Sequence, residues 1–171
     1  MQTMMSYWTF SDVFEEQGVI KTPFYGGFGL LAERGIPKPA FHAFQLLHRL
    51  GTQRIPVDTP WILATRRDDG ALVIAAWNYS APEAAGKPMN ARIQFRGAHG
   101  GQARITTIGP LQGSPLPAWE AMGKPASPTR EQTVQLQRAA QLPAPETRAI
   151  TNNAIDLTLP PHGLALIEIA R

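Results

Sequence analysis

Between residues 61 and 79 the sequence leaves little choice but a β-hairpin. Two strand-like runs, 61–67 and 71–79, flank Asp68-Asp69-Gly70, a tripeptide of residues that tolerate the left-handed backbone of tight turns. In the second run Leu72, Ile74 and Ala76 alternate with Val73, Ala75 and Trp77. Successive side chains of a strand point to opposite faces, so this strand is apolar on both and needs a covering layer on each.

Other segments fit the same plan. In residues 90–96, Ile93 and Phe95 share one parity while Arg92, Gln94 and Arg96 share the other, the pattern of a half-solvated antiparallel strand. A glycine turn at 97–101 leads into residues 102–108, and the chain closes with 154–159 and 164–170 joined by Pro160-Pro161-His162-Gly163. Residues 52–60 read as a Pro-containing connector. Six short strands with turn signals between them predict an antiparallel β-sandwich over residues 52–171. Sixteen prolines and fifteen glycines argue against a helical bundle, and 43% hydrophobic residues suffice for a core.

One stretch, about 109–145, interrupts the strands. It is Pro-rich and contains Trp119-Glu120-Ala121-Met122-Gly123. Thr129 and Gln132 then stand at capping-box spacing ahead of a helix over 135–141, with Leu136, Ala139 and Ala140 as a thin apolar stripe. So long an excursion either covers another surface or reaches a site. Trp119 suits sugar stacking or, as buried Trp usually does, packing.

The first fifty residues have a different character. Residues 4–14 read as a strand with Tyr7 and Val13 on one face and Trp8, Phe10 and Phe14 on the other, which predicts burial on both sides as in a helix-covered parallel sheet. It runs into Glu15-Glu16. A loop, Thr22-Pro23-Phe24-Tyr25-Gly26-Gly27-Phe28-Gly29, follows, its aromatics suited either to lining a cleft or to packing on their own strand. Pro37 and Pro39 then bracket the start of a helix carrying Ala40, Phe44, Leu47 and Ala43, Leu46, Leu50 at three- and four-residue spacing, with Gly51 as its C-cap. His42 and His48 are six apart on it, wrong for two ligands on one face, and read as structural or surface residues. Strand, loop and helix make one β/α unit over residues 1–51. An aromatic wall beside carboxylates suits a sugar, because the ring covers the C–H face of a pyranose and the carboxylates accept from its hydroxyls. The ordinary alternative is a buried strand followed by a solvated acidic turn.

Several functions are set aside by composition. The formal charge is +3, and the sixteen basic residues are scattered, with no run longer than Arg66-Arg67. A nucleic-acid binder concentrates its charge on a face or a helix. With no cysteine, thiolate chemistry, disulfides and cysteine metal sites are out. No apolar run approaches the roughly 20 residues a membrane span needs, and no signal-peptide pattern opens the chain. The compartment is unknown, with the cytoplasm as the default expectation. No metal or cofactor is expected.

Ser6-Tyr7-Trp8-Thr9-Phe10-Ser11-Asp12-Val13-Phe14-Glu15-Glu16, the loop Pro23-Phe24-Tyr25-Gly26-Gly27-Phe28-Gly29-Leu30, Lys38-Pro39-Ala40-Phe41, Ala118-Trp119-Glu120-Ala121-Met122-Gly123 and Leu157-Thr158-Leu159-Pro160-Pro161-His162-Gly163 together resemble the C-terminal part of glycoside hydrolase family 39, whose best-known members are β-xylosidases. The resemblance spans essentially the whole chain. It implies a mainly β fold, an antiparallel β-sandwich (52–171) preceded by the last β/α unit of a TIM barrel (1–51). Trp8 resembles the aromatic platform under the innermost sugar. Glu15 and Glu16 resemble the pair that holds its hydroxyls, and Phe24 and Tyr25 are placed at the entrance. A retaining glycosidase also needs an acid/base and a nucleophile about 5–5.5 Å apart. The resemblance puts both glutamates on barrel strands ahead of Met1, so no catalytic residue is assigned here and the chain alone is expected to be inactive. The expected partners are a xyloside or xylo-oligosaccharide, and either the missing barrel half or a second copy. A non-catalytic carbohydrate-binding or accessory sandwich is the alternative, with Trp61, Trp77 or Trp119 as its exposed rings.

Overall fold

The computed structural model describes residues 6–13, 18, 22–81, 84–96 and 101–171. The chain is mainly β. Its elements are β1 (Leu31–Ala32), β2 (Ile36–Pro37), α1 (Pro39–Leu47), β3 (Gln53–Ile55), β4 (Ile62–Arg66), β5 (Leu72–Asn78), β6 (Met89–Gln94), β7 (Gln102–Ile108), α2 (Leu116–Ala121), α3 (Arg130–Ala139), β8 (Glu146–Ala149), β9 (Ala154–Leu159) and β10 (Gly163–Ile169). Six strands form one antiparallel sheet in the order β3-β4-β5-β10-β7-β8, and β6 pairs with β9 in a second.

The predicted hairpin is β4–β5, paired from Ile62 with Ala76 to Arg66 with Leu72. Its turn closes through the Gly70 amide to the Arg67 carbonyl, and the Asp69 carboxylate accepts from the Ala71 amide. The double apolar face of β5 is accounted for. Ile74 and Ala76 meet Ala103, Ile105, Ala165 and Ile167 of their own sheet and Ile93, Ile155, Leu157 and Leu159 of the second sheet in one core. On the other face Val73 and Ala75 join Leu164 and Leu166 beneath Leu46 of α1, with Ala43 and Leu50 alongside. The large sheet is thus covered by a sheet on one side and a helix on the other. Burying Leu46 completely makes it a residue whose truncation to Ala costs about 2–5 kcal/mol.

Cover on the inner side is incomplete. Beside β6 a groove of about 810 Å³ opens over β4 and β5, lined by Ile55, Trp61, Ile62, Leu72, Ile74 and Phe95 among others. Among the described residues β6 pairs only with β9.

The excursion returns to the first forty residues. Leu136 of α3 and Ala140 at its C-cap pack with Ala32 and Ile36, flanked by Phe24, Ala118, Trp119 and Met122. Helix α3 starts at Arg130, ahead of the predicted 135, because the capping box itself sets its first turn: the Thr129 hydroxyl accepts from the Gln132 amide and the Gln132 side chain accepts from the Thr129 amide. His42, buried on α1, bonds Gln45 Oε1 at 2.8 Å and the Ala140 carbonyl at 2.5 Å, which makes it the structural histidine expected.

Three expectations need correction. Residues 52–60 are not only a connector, since they contain β3, an edge strand bonded to β4. Gly51 does not cap α1, which ends at Leu47 with His48 as C-cap; its amide donates instead to Thr65 Oγ1. Residues 4–14 do not form a strand buried on both faces within the described part (6–13). They make a single parallel bridge, Ser11 to Leu31, and Tyr7, Trp8, Phe10 and Val13 are exposed. The physical reason is one-sided pairing: the amides of residues 30 and 31 donate to the Thr9 and Phe10 carbonyls, and among the described residues no second strand pairs with the segment.

Candidate functional site

Apart from Tyr79, the exposed aromatic residues among those described lie in or beside the segment 7–13 and the loop that follows it. Trp8 is 65% exposed, Phe28 46% and Tyr25 38%. The Trp8 and Phe28 rings meet edge to face, centroids 6.1 Å apart at 64°, and form a ledge of two rings. The Trp8–Thr9 peptide bond is cis. Behind the ledge Tyr7 packs edge-on to Phe44 at 5.3 Å and Phe10 to Phe41 at 6.4 Å, so α1 backs the segment with its own aromatics.

A buried polar centre lies beneath the loop. Asp12 is fully buried, and its Oδ1 accepts from the Gly29 amide at 2.7 Å and from Lys38 Nζ at 2.7 Å. The same ammonium lies 2.6 Å from Oδ2, a charge contact rather than an aligned hydrogen bond, and donates to the Gly27 carbonyl at 2.6 Å. Tyr25 Oη donates to the Asp12 carbonyl at 3.2 Å. Partial desolvation first, and the Asp12 carboxylate second, push the Tyr25 phenol above its ordinary pKa.

This centre explains the loop's glycines. A Cβ on Gly27 would lie 2.6 Å from Asp12 Oδ1 and 2.8 Å from Tyr25 Oη, and one on Gly29 would fall into the Asp12 backbone. Both glycines serve close approach. Gly26, at φ +95°, is the one needed for its backbone conformation.

Of the predicted site residues, Trp8 and Tyr25 are both exposed. Phe24 turns to the opposite side of the loop, its ring 5.3 Å from that of Trp119. Glu15 and Glu16 lie outside the described residues. Asp12 and Phe28 escaped the sequence reading. Phe28 stood among the loop aromatics with nothing to single it out, and Asp12 looked like one carboxylate beside a more conspicuous pair. No group of three or more His, Asp or Glu side chains suited to a metal occurs among the described residues. No helix among them is long and apolar enough to cross a membrane.

The rings on which the accessory-domain alternative relied are all part-buried. Trp61 packs on the inner core, Trp77 under α1, and Trp119 in the seam with Phe24, where its indole donates to the Pro125 carbonyl.

The family model for glycosyl hydrolases family 39 matches residues 1–156, and the chain belongs to that family. It is 33% identical over 174 residues to a β-xylosidase of Caldicellulosiruptor saccharolyticus and 35% identical over 167 residues to one of Geobacillus stearothermophilus, each match covering 96% of this chain. The same matches cover 36% and 33% of those proteins, so the chain spans about a third of their length. The fold is similar to that of a monomeric β-xylosidase from Caulobacter crescentus CB15, with a TM-score of 0.82 at 25% identity over 97% of this chain and 37% of that one. It also resembles the family 39 enzyme of Xanthomonas axonopodis pv. citri, with a TM-score of 0.76, 28% identity and the same two coverages.

Proposed function

We propose that this chain is the C-terminal portion of a retaining β-xylosidase-type glycoside hydrolase and supplies one wall of its xyloside pocket. The observation that carries this is the family-model match over residues 1–156 together with β-xylosidase relatives about three times as long as this chain. Trp8 is the platform beneath the sugar ring, and Glu15 and Glu16 accept from its hydroxyls. Tyr25 stands at the entrance, with Phe24 bracing the same loop from behind. The acid/base and nucleophile come from the part of the protein that the relatives possess beyond this third.

On this reading residues 1–51 are the last strand, loop and helix of a (β/α)8 barrel, and residues 52–171 are the sandwich appended to it. The exposed apolar segment 7–13 supports that division, because a strand whose neighbours lie elsewhere in the protein presents such a surface. The groove beside β6 supports it independently. The family resemblance implies a further sandwich strand contributed by the enzyme's N-terminal region, and the edge of β6 away from β9, unpaired among the described residues, offers it a partner.

The test is hydrolysis of an aryl β-xyloside by the purified chain. No turnover above background is expected. Turnover at rates of ordinary enzymes, about 1–10³ s⁻¹, would place the catalytic carboxyls inside these 171 residues and overturn the proposal.

A further inference from the structure

The Asp12–Lys38 pair costs desolvation, since a carboxylate with no exposed surface and an ammonium that is mostly buried have both left water. Its backbone contacts fall on the residues either side of Phe28. Lys38 Nζ holds the carbonyl of Gly27, and Asp12 Oδ1 holds the amide of Gly29. The Phe28 carbonyl itself accepts from Tyr7 Oη at 2.7 Å. Three consecutive residues are pinned, and the ring between them is left exposed against Trp8.

We propose that Phe28 is a second ring of the sugar-facing wall and that Asp12 and Lys38 are the positioning pair that sets it against Trp8. This rests on the sugar-binding reading of Trp8. A single indole defines a plane but leaves a pyranose free to slide across it; a second ring at 64° to the first adds an edge against which an apolar C–H face registers. Backbone clamps on both sides of Phe28 restrict where its ring can lie, which reduces the ordering needed on binding. The two glycines beside Phe28 belong to the same device, because any side chain there would displace the carboxylate.

The experiment compares the full chain with Lys38→Met, Asp12→Asn/Lys38→Met and Phe28→Ala. Four quantities are read: the Trp8–Phe28 ring cross-peak and the Gly29 amide exchange rate by NMR, thermal stability, and xylobiose affinity followed at the Trp8 indole resonance. Lys38→Met is expected to weaken or erase the cross-peak, speed Gly29 exchange at least tenfold, and weaken xylobiose binding at least fivefold. Removing both charges no longer strands a buried carboxylate, so the double variant should regain thermal stability while the cross-peak and affinity stay lost. A merely structural pair would restore all three together. Phe28→Ala should weaken xylobiose binding at least fivefold with Gly29 exchange unchanged. An unchanged cross-peak and Gly29 exchange in both lysine variants, or undiminished affinity in Phe28→Ala, would overturn the proposal. Failure of the wild-type chain to bind xylobiose, with the cross-peak present, would instead sink the sugar reading on which it rests.

Discussion

Arg49, two residues past the end of α1, sets its guanidinium 2.8 Å from Oε2 of Glu168, and so ties the end of that helix to the outer face of β10. Arg67 takes the other oxygen at 2.8 Å and also donates to the Arg49 carbonyl. One carboxylate therefore joins the helix, the hairpin β4–β5 and the last strand. Glu168→Gln leaves two guanidinium groups facing each other without their anion. A loss of about 2 kcal/mol in urea-unfolding free energy is expected, between the values for exposed and fully buried pairs. A loss within error of zero would show that water screens the cluster.

The loop glycines give a sharper test of close packing. At Gly29 the added methyl group of alanine meets backbone, which cannot rotate away. Gly29→Ala is expected to cost at least about 3 kcal/mol, at the upper end for overpacked sites. Gly35, at φ +68° and with open space around it, should lose only about 1 kcal/mol as Gly35→Ala, from backbone conformation alone. Thermal denaturation of the two variants side by side would reveal the difference.

Acid titration bears on the start of α3. The amide of Glu131 and, after it, the Thr129 hydroxyl hold the Glu131 carboxyl below its ordinary pKa. A carboxyl depressed in the folded state favours folding above its unfolded-state pKa, and that contribution disappears as the pH falls through the folded value. NMR titration should place the Glu131 inflection below that of an unconstrained glutamate. Thr129→Ala should raise it part of the way, because the amide remains, and should cost about 1 kcal/mol through loss of the cap.

Trp8 separates binding from stability. A side chain 65% exposed contributes little to the fold, so Trp8→Ala should change the unfolding free energy by no more than about 0.5 kcal/mol. Xylobiose binding by the chain should be lost. Equal affinity in the variant would remove Trp8 from the pocket wall.

Much of the β architecture was legible because its physics is local. Asp68-Asp69-Gly70 announces a turn whatever surrounds it, and alternation in β5 and β6 states which residues face the core. The capping box at Thr129 and Gln132 is equally local, and it fixed the start of α3 better than the apolar stripe behind it. Strand β8 escaped notice because Glu146-Thr147-Arg148-Ala149 has no apolar alternation; it is held by backbone pairing to β7, from Gln102 with Ala149 to Ile105 with Glu146. The site was less readable still. Why Gly27 and Gly29 must be glycine depends on Asp12, which is distant in sequence and hidden beneath them. Trp8 and Tyr25 were identifiable as aromatic residues in a sugar-like setting, but the ring that meets Trp8 is set by a backbone clamp that no spacing rule encodes.

The groove beside β6 has a calorimetric consequence. Water already reaches part of the inner face of β4 and β5 in the native state, so unfolding exposes less new apolar surface than the length of the chain suggests. Heat capacity and denaturant sensitivity both scale with newly exposed area. The isolated chain should therefore unfold with a heat-capacity increment below the roughly 2 kcal/mol/K that a closed fold of this length implies, and with a correspondingly shallow urea dependence. Differential scanning calorimetry measures it directly, and an increment at or above that figure would mean the groove is closed in solution.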